Sequence, residues 1–338
     1  MTLGSVELEG WVAALLGAAG LPRPDARRAA WVYTRATERG LGHHDLSLLP
    51  QRLGWLAEKL VRPQPQMKRL VSLPSIEVWD ADHALGEVAC HVAVERACQL
   101  AKKSALAYVG IRRSNHFLAA DPYVEWATQR DFFAIVWSNT DAGMGLPGGE
   151  RRVLGNNPVG WGAGTGESSI SADLCLAESS LGSLAVLADS NSAVPPHWGI
   201  GPDGKPAQDA KTLQHGAVAP IGGAKGVALA LLGEMLTGVL TGGETLDHVL
   251  PPSGLNTHSQ MVLAFRLDAF APLPTMHERI RTMRESLNRM GISRIPGDRS
   301  QKAKTRSREK GLEIPESLFD TLTQWSYRWN VSIPKRHS

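Results

Sequence analysis

Three histidines stand in this chain beside groups that suit proton transfer. His43 and His44 are adjacent in Gly42-His43-His44-Asp45, and His116 follows Ser114 and Asn115 ahead of Phe117. An imidazole titrates near pH 6.5, so it can exchange a proton at cellular pH without a large shift. Loops leading into helices often carry active groups. Read alone, each histidine serves equally well as a capping, packing or solvent-facing side chain. Asp45 can fix the tautomer of a neighbouring ring or cap the next helix. Lys225 interrupts Gly222-Gly223-Ala224-Lys225-Gly226 just before an apolar run. A bare ammonium at a buried helix needs a partner, and the glycines allow close backbone approach; a surface lysine at a helix start is the plain alternative. Asp80 and Asp82 would in isolation suit glycoside hydrolysis or a hard cation, and capping the helix that follows is the simpler account. Cys90, Cys98 and Cys175 are odd in number and lack metal-ligand spacing. They read as buried thiols of a reducing compartment, and no metal is expected.

These residues need elements to position them. Apolar spacing predicts helices over VELEGWVAALLGAAG, over PDARRAAWVYTRATERG with proline in its first turn, and through LSLLPQRLGWLAEKLV. Residues 61–75 read as a polar connector. GEVACHVAVERACQLAKKSA is an amphipathic helix, LAYVGIRR a strand, and Asp121-Pro122 opens a helix after the His116 loop. FFAIVWSN and MVLAFRLDAF read as strands, as do ISADLCLA and GSLAVLADSN. MGLPGGERRVLGNNPVGWGAG and PPHWGIGPDGKPAQDA read as loops. Residues 226–242 read as a buried apolar helix. The tail reads as a charged helix through MHERIRTMRESLNRM, a loop about IPGD, and a closing helix from Pro315. The fold class is α+β. A helical piece over 1–75 and a central mixed-sheet domain over 76–255 precede a C-terminal part over 256–338 that packs back on the first.

Bulk properties set limits. A formal net charge of +3 is too mild to suggest nucleic acid. The basic cluster 299–310 has no interleaved aromatics, so it reads as a solvated loop or a charged rim that steers an anionic substrate or cofactor. No apolar run has the length of a bilayer crossing, since Lys225 and Glu234 break the nearest one. Acidic residues stand where a signal peptide would be basic, so the cytoplasm is expected.

Seven segments between residues 39 and 298 carry a resemblance: RGLGHHDLSLLP, WDADHALGEVA, SNHFLAA, LPGGERRVLGNNP, PPHWGIGPDGKPAQDA, PIGGAKGVALALLGEMLTGVLTG and IPGD. In this order they resemble the malate/L-lactate dehydrogenase family of the non-Rossmann kind. That family includes ureidoglycolate dehydrogenase, diketogulonate reductase and the piperideine- and pyrroline-2-carboxylate reductases. No GxGxxG directly joins a predicted strand to a predicted helix, which agrees with this. The resemblance implies a central domain binding NADH or NADPH and a homodimer with the substrate cleft near its interface. It also implies hydride transfer to the C=O or C=N carbon of a small 2-oxo acid or cyclic 2-imino acid.

Site residues follow from the same resemblance. His44 falls on the family's catalytic histidine, with His43 in place of serine and Asp45 in place of glycine. His116 matches a histidine that some members use as the acid/base. Which of the two carries the proton stays open. His43, Arg52 and Asn157 are expected on the substrate side, Asn157 holding either the substrate or a nearby loop. Ser114, Asn115, Asp173, Ala224, Lys225, Gly297 and Asp298 are expected at the cofactor, with Asp298 favouring NADH through ribose hydroxyls. Met144, Pro147, Gly148 and Gly149 would wall the ring. Leu48 departs from the family, which places an arginine there to clamp the substrate carboxylate. Either Arg52, one turn on, takes that task, or the substrate is an amide, carries a bulkier apolar group or has its carboxylate held elsewhere. Leu48 and the apolar stretch 174–177 also suit a second reading, a nucleotide- or metabolite-binding protein of the same fold without catalysis.

Overall fold

The structure is a computed structural model, describing residues 1–147, 149, 151–164, 166–250 and 256–335. Gly148 lies outside the described residues. Helices α1 (Ser5–Ala18), α2 (Arg23–Glu38) and α3 (Leu49–Ala57) form the helical start. In α1, Leu8, Trp11, Val12, Leu15 and Leu16 are buried, the spacing of one helical face. The chain ends meet: β1 (Thr2–Leu3) pairs antiparallel with a late strand at Leu312–Glu313, and the Trp11 indole donates to Ser326 Oγ at 2.8 Å.

The centre is a mixed seven-stranded sheet. Its strands are β2 (Lys68–Ser72), β3 (Ile76–Asp80), β4 (Leu106–Ser114), β5 (Phe132–Ser138), β8 (Val159–Ala163), β9 (Ile170–Leu174) and β12 (His258–Arg266). They are ordered β2-β3-β4-β12-β5-β8-β9. Only β3 and β4 pair in parallel. A smaller sheet joins β6 (Ala142–Gly145), β7 (Arg152–Gly155), β10 (Gly199–Ile200) and β11 (Ala217–Val218); the strand Leu312–Glu313 is β13. The pleat of β12 divides two cores. Val262 and Ala264 pack with α4 (Gly86–Ser104) and the N-terminal helices, while Met261 and Leu263 face the core of the smaller sheet.

Several local expectations are corrected. The glycine-rich stretch 142–163 is largely strand, in β6, β7 and β8. Its glycines admit a neighbour: a Cβ at Gly160 would lie 2.5 Å from Ala120, and one at Gly162 2.8 Å from Val124. Ala120 and Val124 belong to the N-cap and body of α5 (Asp121–Thr128), which rests directly on β8. GSLAVLADSN is not a strand but helix α6 (Leu181–Asp189), because Ser180 Oγ accepts from the Ser183 amide at 3.1 Å and caps it. The connector 61–75 contains β2. A short helix α7 (Ala210–His215) follows β10. The basic cluster is helix α10 (Asp298–Lys310), lying between α9 (Leu273–Arg289) and α11 (Glu316–Trp329). Asp80 and Asp82 do not cap α4. They accept from Arg113 Nε at 2.8 Å, Arg112 Nε at 3.3 Å and Arg62 Nη1 at 2.8 Å.

Helix α8 (Ala224–Glu234), continued by a π-turn over Met235–Val239, is not buried as expected. Gly226, Ala230 and Gly233 face the body; Gly233 lies so close to the Trp137 indole that a Cβ would meet it at 2.7 Å. Leu229, Leu231, Leu232, Met235, Val239 and Leu240 are instead 45% to 57% exposed. Among the described residues, no helix is long and apolar enough to cross a membrane.

Candidate active site

His44 sits in one tight turn, Gly42–His44, between α2 and α3. Gly40 and Gly42 take positive φ of 61° and 63°, which lets the chain reverse there. Asp45 accepts from the Ser47 amide at 2.9 Å and starts the next turn. His116 follows β4, and its loop lies on the start of α4. A Cβ at Gly86 would meet the carbonyls of Asn115 and His116 at 2.2 and 2.4 Å, so only glycine admits this approach. Asn115 secures the loop by donating to Ala84 O at 2.9 Å, and the Gln260 amide donates to Asn115 O at 2.9 Å.

These turns bring four imidazoles into a row. Ring centroids are 4.2 Å apart for His43 and His44, 5.1 Å for His44 and His116, and 6.1 Å for His116 and His258. His258 Nε2 lies 3.5 Å from Asp141 Oδ1. His43 Nε2 lies 3.0 Å from Ser180 Oγ, in a space that only Gly182 leaves, since a Cβ there would fall 2.0 Å from the ring. Burial, with the neighbouring His43 and Arg52 charges, holds His44 down to about 3. Burial likewise holds His116 well below its usual value. His258 beside it keeps the Asp141 carboxyl below the ordinary range.

His116 has a definite tautomer. Arg52 Nη2 lies 3.0 Å from its Nδ1, and the Leu118 amide donates to the same atom at 3.2 Å. A guanidinium can only donate, so Nδ1 is an acceptor and the ring proton resides on Nε2. Arg52 is 2% exposed, donates to Glu87 Oε1 at 3.2 Å and lies over the Trp55 ring at 4.4 Å.

Two cavities meet at this row. The first, of about 560 Å³, runs between α3 and α6; the second, of about 680 Å³, runs along the first turn of α6. His43, His44, His116, Asp141 and Gly182 line both. Arg52, Asn115 and Leu48 line the first only, and Asp173 the second only. Arg52 thus stands beside the place where Leu48 lacks a guanidinium.

Other expected residues lie elsewhere. Asn157 lines neither cavity. Its amide donates to Glu234 Oε1 at 2.8 Å and Ala230 O at 3.1 Å, and its Oδ1 accepts from the Thr140 amide at 3.1 Å, so it braces a loop rather than facing substrate. Its neighbour Asn156 lines the second cavity. Ala224 and Lys225 are on the exposed start of α8, outside both cavities. Gly297 has φ of 92° and packs against Ser171, while the Asp298 carboxylate is taken by Arg284 and by the Ile295 amide. Arg299, one residue on, lines the second cavity instead. Ser114 is fully buried and its hydroxyl has no partner. Asp173 accepts from the Asp121 amide at 2.9 Å and so caps α5, while the Asp121 side chain pairs with Arg39 at 2.6 Å.

Asp141, His258, Arg299 and the serines at 179, 180 and 183 escaped the sequence reading. Arg299 was flagged only as part of a charged rim. Asp141 and His258 mark the two ends of β6 and β12 nearest the site, and neither has a local pattern. Among the described residues, no cluster of three or more His, Cys, Asp or Glu side chains could hold a metal ion.

The family model for malate/L-lactate dehydrogenase matches residues 4–323. The chain belongs to this family. A (2R)-3-sulfolactate dehydrogenase (NADP(+)) of Chromohalobacter salexigens is 31% identical over 325 residues, covering 95% of this chain and 96% of that protein. A Delta(1)-pyrroline-2-carboxylate reductase of Burkholderia ambifaria is 28% identical over 313 residues, covering 90% and 91%. The sulfolactate dehydrogenase structure from Methanocaldococcus jannaschii superposes with a TM-score of 0.87 at 27% identity, covering 98% of each chain. Membership in the malate/L-lactate dehydrogenase family accounts for the mixed, non-Rossmann sheet and places the chain among oxidoreductases.

Proposed function

We propose that this chain is an NAD(P)H-dependent reductase of a 2-oxo acid or cyclic 2-imino acid, working in reverse as a 2-hydroxy acid dehydrogenase. The observation that carries the reading is the His44–His116 pair on the wall shared by two cavities. A hydride donor on one side and an acid on the other would meet at these rings.

The second cavity fits a dinucleotide. Hydroxyls of Thr140, Ser179, Ser180 and Ser183, the Asn156 amide and the Arg299 guanidinium line it around the start of α6. Such donors at a helix N-terminus suit phosphate oxygens and ribose hydroxyls. When bound, reduced nicotinamide supplies the hydride. Arg299 in this wall suits the additional 2′-phosphate of NADPH, against the NADH preference that Asp298 would give.

The chain's own groups handle the proton. His116 cannot become an imidazolium without losing the bonds to Arg52 and Leu118, so it serves as a neutral donor through Nε2. His44 has no such restraint and is the proton donor to the acceptor's oxygen or nitrogen. In the free protein its ring is neutral, ready to accept a hydroxyl proton in the oxidative direction. Of the causes that hold His44 down, burial first and then the His43 and Arg52 charges, an acid carboxylate seated on Arg52 would offset the last. Arg52 uses three of its five N–H groups within the protein, leaving one on each terminal nitrogen for a carboxylate.

The exposed apolar face of α8 supports a homodimer. A contiguous face of large apolar side chains is unusual on a monomer, and the stripe of small residues beneath it fixes its outward direction. Sedimentation should give twice the chain mass. The function itself is tested by following loss of reduced-nicotinamide absorbance with a panel of 2-oxo acids and cyclic imino acids. Turnover of at least one member is expected, and failure with NADH and NADPH alike, without coenzyme binding, would remove the reading.

A further inference from the structure

Resting on the reductase reading, the lining of the first cavity narrows the substrate. Leu48, the residue before α3, and Arg52 and Trp55 within it line this cavity at spacings of four and three, which put them on one side of the helix. Arg52 is the single arginine or lysine among the described residues that line this cavity, and burial disfavours the charged form of His44 and His116 beside it. Its charge is already shared with Glu87, which is fully buried. The remaining charged lining residues are acids. Asp141 stands at the histidine row, and Asp189 stands two turns along α6 from Gly182, at the opposite end of that helix's contribution. Beyond Arg52 the lining adds the neutral amides Gln51, Asn115 and Asn256 and the apolar Leu60, Val186 and Leu250, which are 47%, 61% and 45% exposed.

From this juxtaposition we infer that the substrate is a monocarboxylate with a large apolar or aromatic side chain, and that dianionic acids are rejected. One carboxylate takes the two free N–H groups of Arg52. A second anionic group reaching Leu60, Val186 and Leu250 would face Asp189, with no lysine or second arginine among the described lining residues to meet it. Placing like charges together in a partly dry site costs several kcal/mol, whereas an apolar side chain is stabilised there in proportion to the area it buries. About 560 Å³ is also generous for a three- or four-carbon acid. The reaction balances as R–CO–COO⁻ + NAD(P)H + H⁺ giving R–CHOH–COO⁻ + NAD(P)⁺. The carbonyl carbon gains the hydride pair and its oxygen gains the proton; in a cyclic imine, nitrogen gains it.

The test compares kcat/KM of the purified full-length protein for phenylpyruvate and 4-methyl-2-oxopentanoate with that for oxaloacetate, 3-sulfopyruvate and pyruvate. The apolar monocarboxylates should exceed the dianions by about 100-fold or more, and pyruvate by about 10-fold. Leu48→Arg, which adds a second guanidinium one turn from Arg52, should raise the oxaloacetate value about 10-fold and lower the phenylpyruvate value. Equilibrium binding of phenyllactate and malate to the unaltered protein should show the same order. A preference for a dianion or for pyruvate would overturn the substrate class and leave the reductase standing. No turnover of any acid with either coenzyme, together with no coenzyme binding, would instead remove the reductase reading and this inference with it.

Discussion

The two cavities share one pair of imidazoles and a largely apolar lining, and differ in the polar groups that each adds to it. On the α3 side, Leu48, Trp55, Leu60 and Val186 surround a single guanidinium. On the α6 side, Ser179, Ser180, Ser183, Thr140, Asn156 and Arg299 share the lining with Leu41, Leu174, Leu187 and Trp198. On the proposed function, the first wall would recognise shape and one charge, and the second would recognise by hydrogen bonds. The difference shows how one row of histidines can serve two ligands: each cavity keeps its own partner, and only the proton-handling groups are common property.

The largest test of this division is His44→Ala. Removing the shared proton donor should lower kcat by about 10²- to 10⁴-fold in both directions, while coenzyme dissociation constants, measured by fluorescence titration, stay within a few-fold. A variant that lost coenzyme affinity instead would place His44 in the wrong wall. Next comes Arg52→Lys. It retains a charge for Glu87 but loses the fork and the contact with His116 Nδ1, so kcat/KM for the acid should fall about 100-fold. The coenzyme KM should remain unchanged, which stopped-flow binding can verify. Arg299→Ala is the mirror experiment. Coenzyme KM should rise about 10-fold, more for NADPH than for NADH, with the acid KM unmoved; a shift in the acid KM would erase the distinction between the walls.

The smallest effect is on stability. His44 has a folded value of about 3 against an ordinary one near 6.5. Between those values the unfolded chain binds the proton and the folded chain does not, so stability falls as pH drops from about 6.5 toward 3 and is full above 6.5. The buried His116 acts with the same sign. His44→Asn should therefore flatten the acid side of a plot of urea midpoint against pH, and an unchanged slope would mean that the ring is better solvated than the row of imidazoles implies.

Much of the helical framework was legible. Leu8, Trp11, Val12, Leu15 and Leu16 repeat at helical spacing, and Pro24 and Pro50 fall in first turns where a missing N–H costs nothing. The strands of 142–163 were not legible, because glycine in a sequence signals a turn, whereas here it admits α5 onto β8. The outward face of α8 was hidden for a related reason. An apolar run states how much surface wants cover, not which neighbour supplies it.

The sequence by itself determined the family and the α+β class and named His44 and His116 as candidates, since ordered local motifs carry that information. Only the tertiary structure decided the working partners. It set Arg52 against His116, gave the Asn157 amide to Glu234 and the Asp298 carboxylate to Arg284, and brought Asp141 and His258 together from strands more than a hundred residues apart. The reason is physical. A side chain's type states which hydrogen bonds and charges it must satisfy, but which group satisfies them depends on what the folded chain places within about 3 Å.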